Sequence, residues 1–253
     1  ICSLFSGRPS TYVEAFDGVQ RPPVLLDELR RRGYALALFA APGFGPPTDL
    51  NRTVFAGMPG LPLERGDLTA AERNRAVTDQ WLAWLAARPA ASPPFFGVLY
   101  LDPPMGEMDG SSATDLPLGD RYARADLRGP WAQYRRAARF ADAELGRVRA
   151  SLRDSGLGDD TVLLVASDHG YEFDDAGQGY VGHASAFSAA QLRAVLAVDW
   201  PGRPAARHAH RTSHLDLAPT LLTEALGCTS DPADYASGRS LFSGAGWDWL
   251  VAG

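Results

Sequence analysis

The sequence predicts an α/β domain whose largely parallel sheet is flanked by helices on both faces. Short apolar runs of strand length alternate with longer stretches of helical periodicity along the chain. The apolar runs are continuous rather than alternating, which is typical of strands buried on both faces. The chain has 253 residues, enough for one large domain with a sizeable core, so we expect residues 1–253 to form a single domain.

The individual elements follow in order along the chain. Apolar runs bounded by turn residues predict four buried strands, at residues 35–41, 95–102, 161–167 and 192–200. Periodic apolar positions, start signals and stop signals predict three long helices, at residues 23–32, 69–88 and 129–156. Loops rich in Gly and Pro, at residues 42–62 and 103–128, interrupt the alternation. Long loops at strand ends are where functional sites are commonly built.

Composition and charge argue against a nucleic-acid partner and against a membrane-spanning segment within these residues. The formal net charge of -6 leaves no basic footprint for nucleic acid, so we expect no nucleic-acid partner. No apolar run approaches the length that crosses a bilayer. The chain begins at Ile1 without an initiator Met or a signal peptide, so we expect it to be an N-terminally truncated piece of a longer protein.

The stretch at residues 161–183 contains the strongest chemical signal. Its apolar strand leads directly into Asp168 and His169, at the carboxyl end where open α/β sheets place their ligands. A carboxylate beside an imidazole suits a divalent cation if the turn at Gly170 lets the two donors converge. In the alternative, the pair merely caps a loop after a strand. The second Gly-His, ending at His183, favours the metal site.

His183 is predicted to be a catalytic and substrate-facing donor, because the loop before it is long enough to fold back over the metal and present the imidazole to an anionic oxygen. The alternative is a partly exposed loop histidine. The acidic residues between the two histidines, Glu172, Asp174 and Asp175, are expected to be solvated and are assigned no catalytic role.

A second block, at residues 211–227, is predicted to be a loop that enters a helix. Ser213 and Asp216 are capping residue types, and Pro219 suits a first helical turn. His214 is a candidate substrate-binding residue in this block. A capping or hydrogen-bonding role for His214 is at least as well supported by the sequence.

With these residues together, the chain resembles the sulfatase-like domain of the YejM/PbgA-type inner-membrane proteins, which belong to the alkaline-phosphatase superfamily. The resemblance rests on an ordered series of motifs: SDHG at 167–170, GH at 182–183, WPG at 200–202, TSHLDLAPTLL at 212–222 and DYASGRSLF at 234–242. It covers essentially the whole chain, since ICSLFSG at 1–7 and FFGVLYLD at 95–102 also have counterparts in the family.

The resemblance implies an alkaline-phosphatase/sulfatase-like fold and a metal-dependent site. Related lipoteichoic-acid synthases and phosphoethanolamine transferases use the matching Asp-His pair as metal ligands, so Asp168 and His169 would bind one divalent ion. Whether that ion is Mn, Zn, Ca or Mg stays open. The acidic ligand and the Thr or Ser nucleophile of those relatives would precede Ile1, which would leave the fragment alone inactive.

The chain departs from the family pattern at positions near the expected pocket. Met105 stands in LDPPM where many members have a His, and Tyr171 follows DHG where an acidic or amide residue is common. Ala184 and Ala186 stand where members have polar residues. Fewer polar groups would therefore face the pocket, which favours a relaxed site.

The predicted function is a sulfatase-like hydrolase or transferase acting on phosphate or sulfate esters of envelope lipids or glycans. The resemblance places it at the periplasmic face of the bacterial inner membrane, attached through a missing N-terminal anchor. The alternative is a non-catalytic lipid-sensing or regulatory domain that controls lipopolysaccharide or outer-membrane homeostasis, because a fold does not prove activity. The ending DYASGRSLF disfavours a third possibility, a soluble phosphomutase of the same superfamily.

Overall fold

The structure is a computed structural model that describes residues 1–46, 49–62, 66–102, 128–183 and 186–250. Its described α-helices are α1 (Cys2–Ser6), α2 (Val13–Val19), α3 (Val24–Arg31), α4 (Ala70–Ala86), α5 (Arg128–Asp154), α6 (Ala189–Leu192) and α7 (Leu217–Thr220). Its described strands are β1 (Ala35–Ala40), β2 (Phe95–Tyr100), β3 (Leu163–Ala166), β4 (Glu172–Phe173), β5 (Val181–Gly182) and β6 (Leu196–Asp199). The three predicted long helices are confirmed as α3, α4 and α5.

The start of α4 confirms the cap that the sequence predicts. The Thr69 hydroxyl accepts a hydrogen bond from the Glu72 N–H at 3.3 Å, and the Glu72 carboxylate accepts one from the Thr69 N–H at 2.8 Å. This reciprocal capping box satisfies backbone donors that the first helical turn leaves without partners. The start of α4 is therefore set by local sequence.

The strands β1 and β2 pair in parallel, with Ala35 opposite Phe95 and Ala40 opposite Tyr100. The indole of Trp81, on α4, packs against Gly97 of β2 so closely that a Cβ there would lie 2.5 Å from the ring. Glycine is therefore required at this position because the helix packs directly onto the strand backbone.

Helices cover both faces of this parallel pair, as predicted. On one face, Ala37 of β1 packs with Trp81 and Leu85 of α4 and with Val148 and Leu152 of α5. On the other face lies the larger core cluster, contributed by β1, α3, the loop that follows β1, α7 and the segment after α7; its buried members are Leu25, Leu26, Leu29, Ala40, Phe44, Leu50, Val54, Phe55, Ala218, Leu222 and Leu226. Burial of apolar surface on both sides explains why the strands read as continuous apolar runs.

The pairing of β3 differs from the prediction, because β3 and β6 are antiparallel, with Leu163 opposite Asp199 and Ala166 opposite Leu196. A parallel partner needs a long crossover connection, normally a helix. Here the connection contains the antiparallel hairpin β4–β5 and only the four-residue helix α6. The chain therefore reverses direction after Ser167 and returns alongside β3.

The loop predicted at residues 103–128 falls almost entirely outside the described residues. No helix within the described ranges combines the length and the apolar character needed to cross a bilayer.

Candidate functional site

The site begins at the carboxyl end of β3, as the sequence predicts. Ser167 closes the strand: its N–H donates to the Val195 carbonyl at 3.0 Å, and its hydroxyl accepts the Val195 N–H at 2.8 Å. The next residue is Asp168, whose side chain is 35% exposed, followed by His169, whose side chain is 43% exposed. Both side chains therefore leave the strand toward solvent and not toward the core.

Gly170 fixes the position of this turn through close packing. Its N–H donates to the Gln191 carbonyl of α6 at 2.8 Å. A Cβ at this position would lie 2.0 Å from the Ala190 carbonyl oxygen and 2.7 Å from that of Arg193. The sequence suggests that Gly170 is needed for its backbone freedom, but the described glycines of positive φ do not include it. The requirement is space, because α6 packs against the turn.

Asp168 and His169 converge as cation ligands would. The His169 Nδ1 donates to the Gly170 carbonyl at 2.7 Å, so in the neutral imidazole Nε2 carries the lone pair. That Nε2 lies 3.6 Å from Asp168 Oδ1. Two ligands each about 2.1 Å from a cation at a tetrahedral angle lie about 3.4 Å apart. The pair therefore fits two adjacent positions in the coordination sphere of a divalent ion.

The pair alone does not complete a metal site. In the part of the chain that the structure describes, no three His, Cys, Asp or Glu side chains converge closely enough to hold a metal ion. Structural and catalytic zinc sites use three or four protein ligands, so further donors would be needed beside Asp168 and His169.

His183 lies directly against this pair. It follows β5, and its ring stacks on that of His169 with centroids 4.1 Å apart and an interplanar angle of 25°. Burial lowers the pKa of His183, the charge of His169 lowers it further, and Asp168 opposes both effects. The structure thus brings together the three residues that the sequence predicts for catalysis and metal binding, and their roles stay predictions.

His214 forms a hydrogen bond with the backbone at the end of β3. Its Nε2 donates to the Ser167 carbonyl at 2.9 Å, one residue before Asp168. Burial lowers the pKa of His214, and the hydrogen bond to the Ser167 carbonyl opposes that shift. The hydrogen-bonding role that the sequence left open is therefore present, while the predicted substrate contact would have to use the other ring nitrogen.

Asp102 is a carboxylate near the site that the sequence analysis did not single out. It follows β2, and the fully buried Asn74 of α4 pairs with its backbone: the Asn74 amide donates to the Asp102 carbonyl at 2.8 Å and accepts the Asp102 N–H at 2.7 Å. Desolvation raises the pKa of the Asp102 carboxyl, and the negative charge of Asp168 raises it further. The ends of β2 and β3 therefore lie within electrostatic reach of each other.

Two acidic residues of the segment from β4 to β5 are buried, although the sequence predicts solvated side chains. Glu172 is 1% exposed and accepts hydrogen bonds from the Ser188 hydroxyl at 2.6 Å and the Gln191 amide at 2.7 Å. Asp174 is also buried and accepts the Gly179 N–H at 2.5 Å. The expectation of solvation is wrong for these two residues, because Glu172 accepts hydrogen bonds from the start of α6 and Asp174 accepts one within the hairpin loop.

The two C-terminal motifs bind each other through Asp216. This buried carboxylate accepts the Ser213 N–H at 2.7 Å, the Arg239 N–H at 3.0 Å and the Trp247 indole N–H at 3.1 and 3.0 Å. Ser213 and Asp216, which the sequence predicts as capping residue types, form a capping box with each other. The motifs TSHLD and SGRS are therefore explained by structure, and together they position the segment that carries His214.

Two of the departures from the family pattern, Met105 and Ala184, lie outside the described residues. Ala186 lies within them: its N–H donates to the side-chain oxygen of Gln191 at 3.2 Å, and the amide of the same Gln191 donates to Glu172. Tyr171 projects beside His183, with ring centroids 6.2 Å apart.

Comparisons with known proteins bear on the family and the fold of the chain. A family model described as Sulfatase matches residues 3–227. The inner membrane protein YejM of Salmonella typhimurium is 24% identical over 243 residues, which is 96% of this chain and 37% of that protein. An uncharacterised protein of Haemophilus influenzae is 22% identical over 253 residues, which is the whole of this chain and 37% of that protein. The chain thus spans little more than a third of the relatives that it matches.

Solved structures share the fold. The phosphonate monoester hydrolase of Agrobacterium radiobacter superposes with a TM-score of 0.64 at 20% identity, covering 94% of this chain and 65% of that one. The lipoteichoic acid synthase of Listeria monocytogenes superposes with a TM-score of 0.63 at 19% identity, covering 93% and 61%. The family model covers most of the chain, and the resemblance inferred from its motifs is confirmed: the protein belongs to the Sulfatase family.

Proposed function

We propose that the protein is a metal-dependent hydrolase or transferase of phosphate or sulfate esters, with Asp168 and His169 as cation ligands. The observation that carries this proposal is the 3.6 Å separation of His169 Nε2 and Asp168 Oδ1. Two groups that both offer lone pairs repel each other unless a cation or a proton lies between them. Membership of the Sulfatase family supports the cation.

The neighbouring residues would orient and neutralise the ester. A divalent ion at this position would polarise an ester oxygen and favour the deprotonated form of a hydroxyl nucleophile. Because burial lowers the pKa of His183, its imidazole is neutral at neutral pH and offers one N–H to an anionic oxygen of the substrate. In its protonated form, the same ring could donate a proton to the leaving oxygen.

The substrates proposed are esters of envelope lipids or glycans, and the location proposed is the periplasmic face of the bacterial inner membrane. The 24% identity to an inner membrane protein over 96% of the chain supports this setting. We further propose that residues 1–253 form one sulfatase-like domain of a longer protein. The nucleophile, a further metal ligand and the membrane anchor would then come from the segment before Ile1.

Metal analysis of the protein in its natural full-length form tests the site. Wild-type protein should hold a divalent ion, and Asp168→Ala should lose it together with at least about a hundredfold of its rate on p-nitrophenyl phosphate, sulfate or phosphonate esters. Asp159→Ala, which removes an exposed carboxylate from the 3₁₀ turn Gly158–Asp160, is the matched control. Equal metal content in wild type and Asp168→Ala would defeat the proposal.

A second function, a non-catalytic domain that senses lipid, is favoured by one observation. The Nε2 of His214, a predicted substrate contact, is occupied by the Ser167 carbonyl. If the full-length protein bound a metal ion and lipopolysaccharide but turned over none of the three ester classes, the sensor would replace the enzyme.

A further inference from the structure

A continuous group of aromatic rings, which we call the aromatic shelf, extends from the candidate site along the surface. It consists of Trp131 and Tyr134 at the start of α5, together with Tyr171 and Phe173 around β4. The rings of Trp131 and Tyr134 are nearly parallel, with centroids 5.9 Å apart and an angle of 12°. Phe173 packs edge-on against both, at 4.9 Å from Trp131 and 5.4 Å from Tyr134.

The shelf reaches the catalytic residues without a break. Tyr171 lies 4.8 Å from Phe173 and 6.2 Å from His183, measured between ring centroids. The ring of His183 in turn stacks on that of His169. A substrate whose ester group faces Asp168 and His169 would therefore extend its remaining part over these rings.

Trp131 is the exposed member of the shelf, and the other three rings are half-buried. Trp131 is 47% exposed, whereas Trp81, which packs between helix and strand, is 4% exposed. An exposed indole does not contribute its apolar surface to the core, so its exposure favours a role in binding. An aromatic patch beside a polar cleft is typical of a binding surface.

The arrangement of the rings selects the chemistry of the ligand. An aromatic cage for an ammonium group needs rings held apart around a cavity. Here the rings contact one another, so they present a surface and leave no cavity between them. The Tyr134 hydroxyl, the Trp131 indole N–H and the carboxylate of Asp175, which accepts the Phe173 N–H at 2.9 Å, supply hydrogen-bonding groups around that surface.

A carbohydrate ring matches this combination. The C–H bonds on one face of a pyranose carry partial positive charge and stack on the negative face of an aromatic ring, while its hydroxyl groups need hydrogen-bond partners at the rim. An acyl chain offers no hydrogen-bonding groups, so it would leave the polar groups at the rim without partners from the ligand.

We propose that the aromatic shelf binds the sugar of a glycan-linked ester and so determines which substrates reach Asp168 and His169. The meaning of this subsite for catalysis rests on the ester chemistry proposed above. Sugar binding itself requires no metal, so the two proposals can fail separately.

Ligand-observed NMR on the full-length, EDTA-treated protein tests the subsite. With the neutral disaccharide N,N′-diacetylchitobiose, saturation transfer to the sugar C–H protons is expected for wild type. Trp131→Ala should raise the Kd by about threefold to tenfold, because one stacking surface is lost. Trp131→Phe should retain part of the affinity, since it keeps a ring, and it replaces the alanine variant should that one fail to fold. Trp249→Ala removes an equally large exposed side chain outside the shelf and should leave the Kd unchanged.

Three results would overturn the assignment. The first is absence of saturation transfer to the disaccharide in wild type, and the second is the same Kd in wild type and Trp131→Ala. The third is transfer only to the acyl protons of dihexanoyl phosphatidylglycerol, which would make the shelf a lipid surface. Sugar binding that persists in a metal-free Asp168→Ala protein would uphold the shelf even if the hydrolase proposal failed.

Discussion

Replacement of Gly170 by alanine should disrupt the candidate site from within. The new methyl group would meet the Ala190 carbonyl oxygen at 2.0 Å and the Arg193 carbonyl oxygen at 2.7 Å. Both contacts are with backbone, which cannot move aside as a flexible side chain can. The short helix α6 would have to shift by about 1 Å or more to restore ordinary contact distances.

The cost has two parts. Overpacking of a tight contact destabilises by about 1–3 kcal/mol. A shift of α6 also stretches the 2.8 Å hydrogen bond from the Gly170 N–H to Gln191, which adds about 0.5–1.5 kcal/mol. We therefore expect Gly170→Ala to lower the free energy of unfolding by about 1.5–4.5 kcal/mol.

Urea unfolding followed by circular dichroism measures this loss, and metal content measures its effect on the site. Gly146→Ala is the matched control, because Gly146 lies within α5 and a Cβ there would meet nothing within 4 Å. That variant should gain about 0.5–1 kcal/mol from helix propensity. If Gly170→Ala unfolded at the same urea concentration as wild type, the close packing of α6 against this turn would be refuted.

Two further predictions concern the support of the site. Asp216→Asn should lower the free energy of unfolding by about 2–4 kcal/mol, because the amide places a donor opposite buried N–H groups. The control Asp199→Asn changes an exposed carboxylate and should cost almost nothing, so equal urea midpoints for the two variants would contradict the role of Asp216. For His214, burial lowers the pKa in the folded state, so as the pH falls the unfolded chain takes up a proton before the folded protein does. The stability that the neutral ring contributes is therefore complete above about pH 6.5, and it declines as the pH falls toward the folded pKa. Wild type should therefore lose more stability than His214→Gln between pH 7 and more acidic values, and parallel pH profiles of the two proteins would rule out this linkage.

Local signals were enough for most of the fold. The cap at Thr69 and the apolar periodicity of α3, α4 and α5 act within a few residues of sequence, so these elements were predicted close to their observed bounds. The direction of β6 was not, because strand direction depends on how the connection returns and not on the strand itself. The hairpin β4–β5 was missed because its strands have two residues each, too few to show a period.

The candidate site divides in the same way. Asp168, His169 and His183 could be found because motif and strand position coincide, and the fold brings their side chains together. Asp102 could not be found, since no local pattern shows that β2 and β3 end near each other. The burial of Glu172 was equally hidden, because a carboxylate is buried only when partners distant in sequence supply donors.

The sequence by itself determined the family, the long helices and the Asp168–His169 pair after β3 that we propose as ligands, since each depends on the order and spacing of neighbouring residues. Tertiary structure alone decided that Gly170 is needed for space, that Asp216 joins two distant motifs, and that four aromatic rings meet beside His183. Those features depend on distances between residues far apart in the chain, which only the packing of the folded molecule fixes.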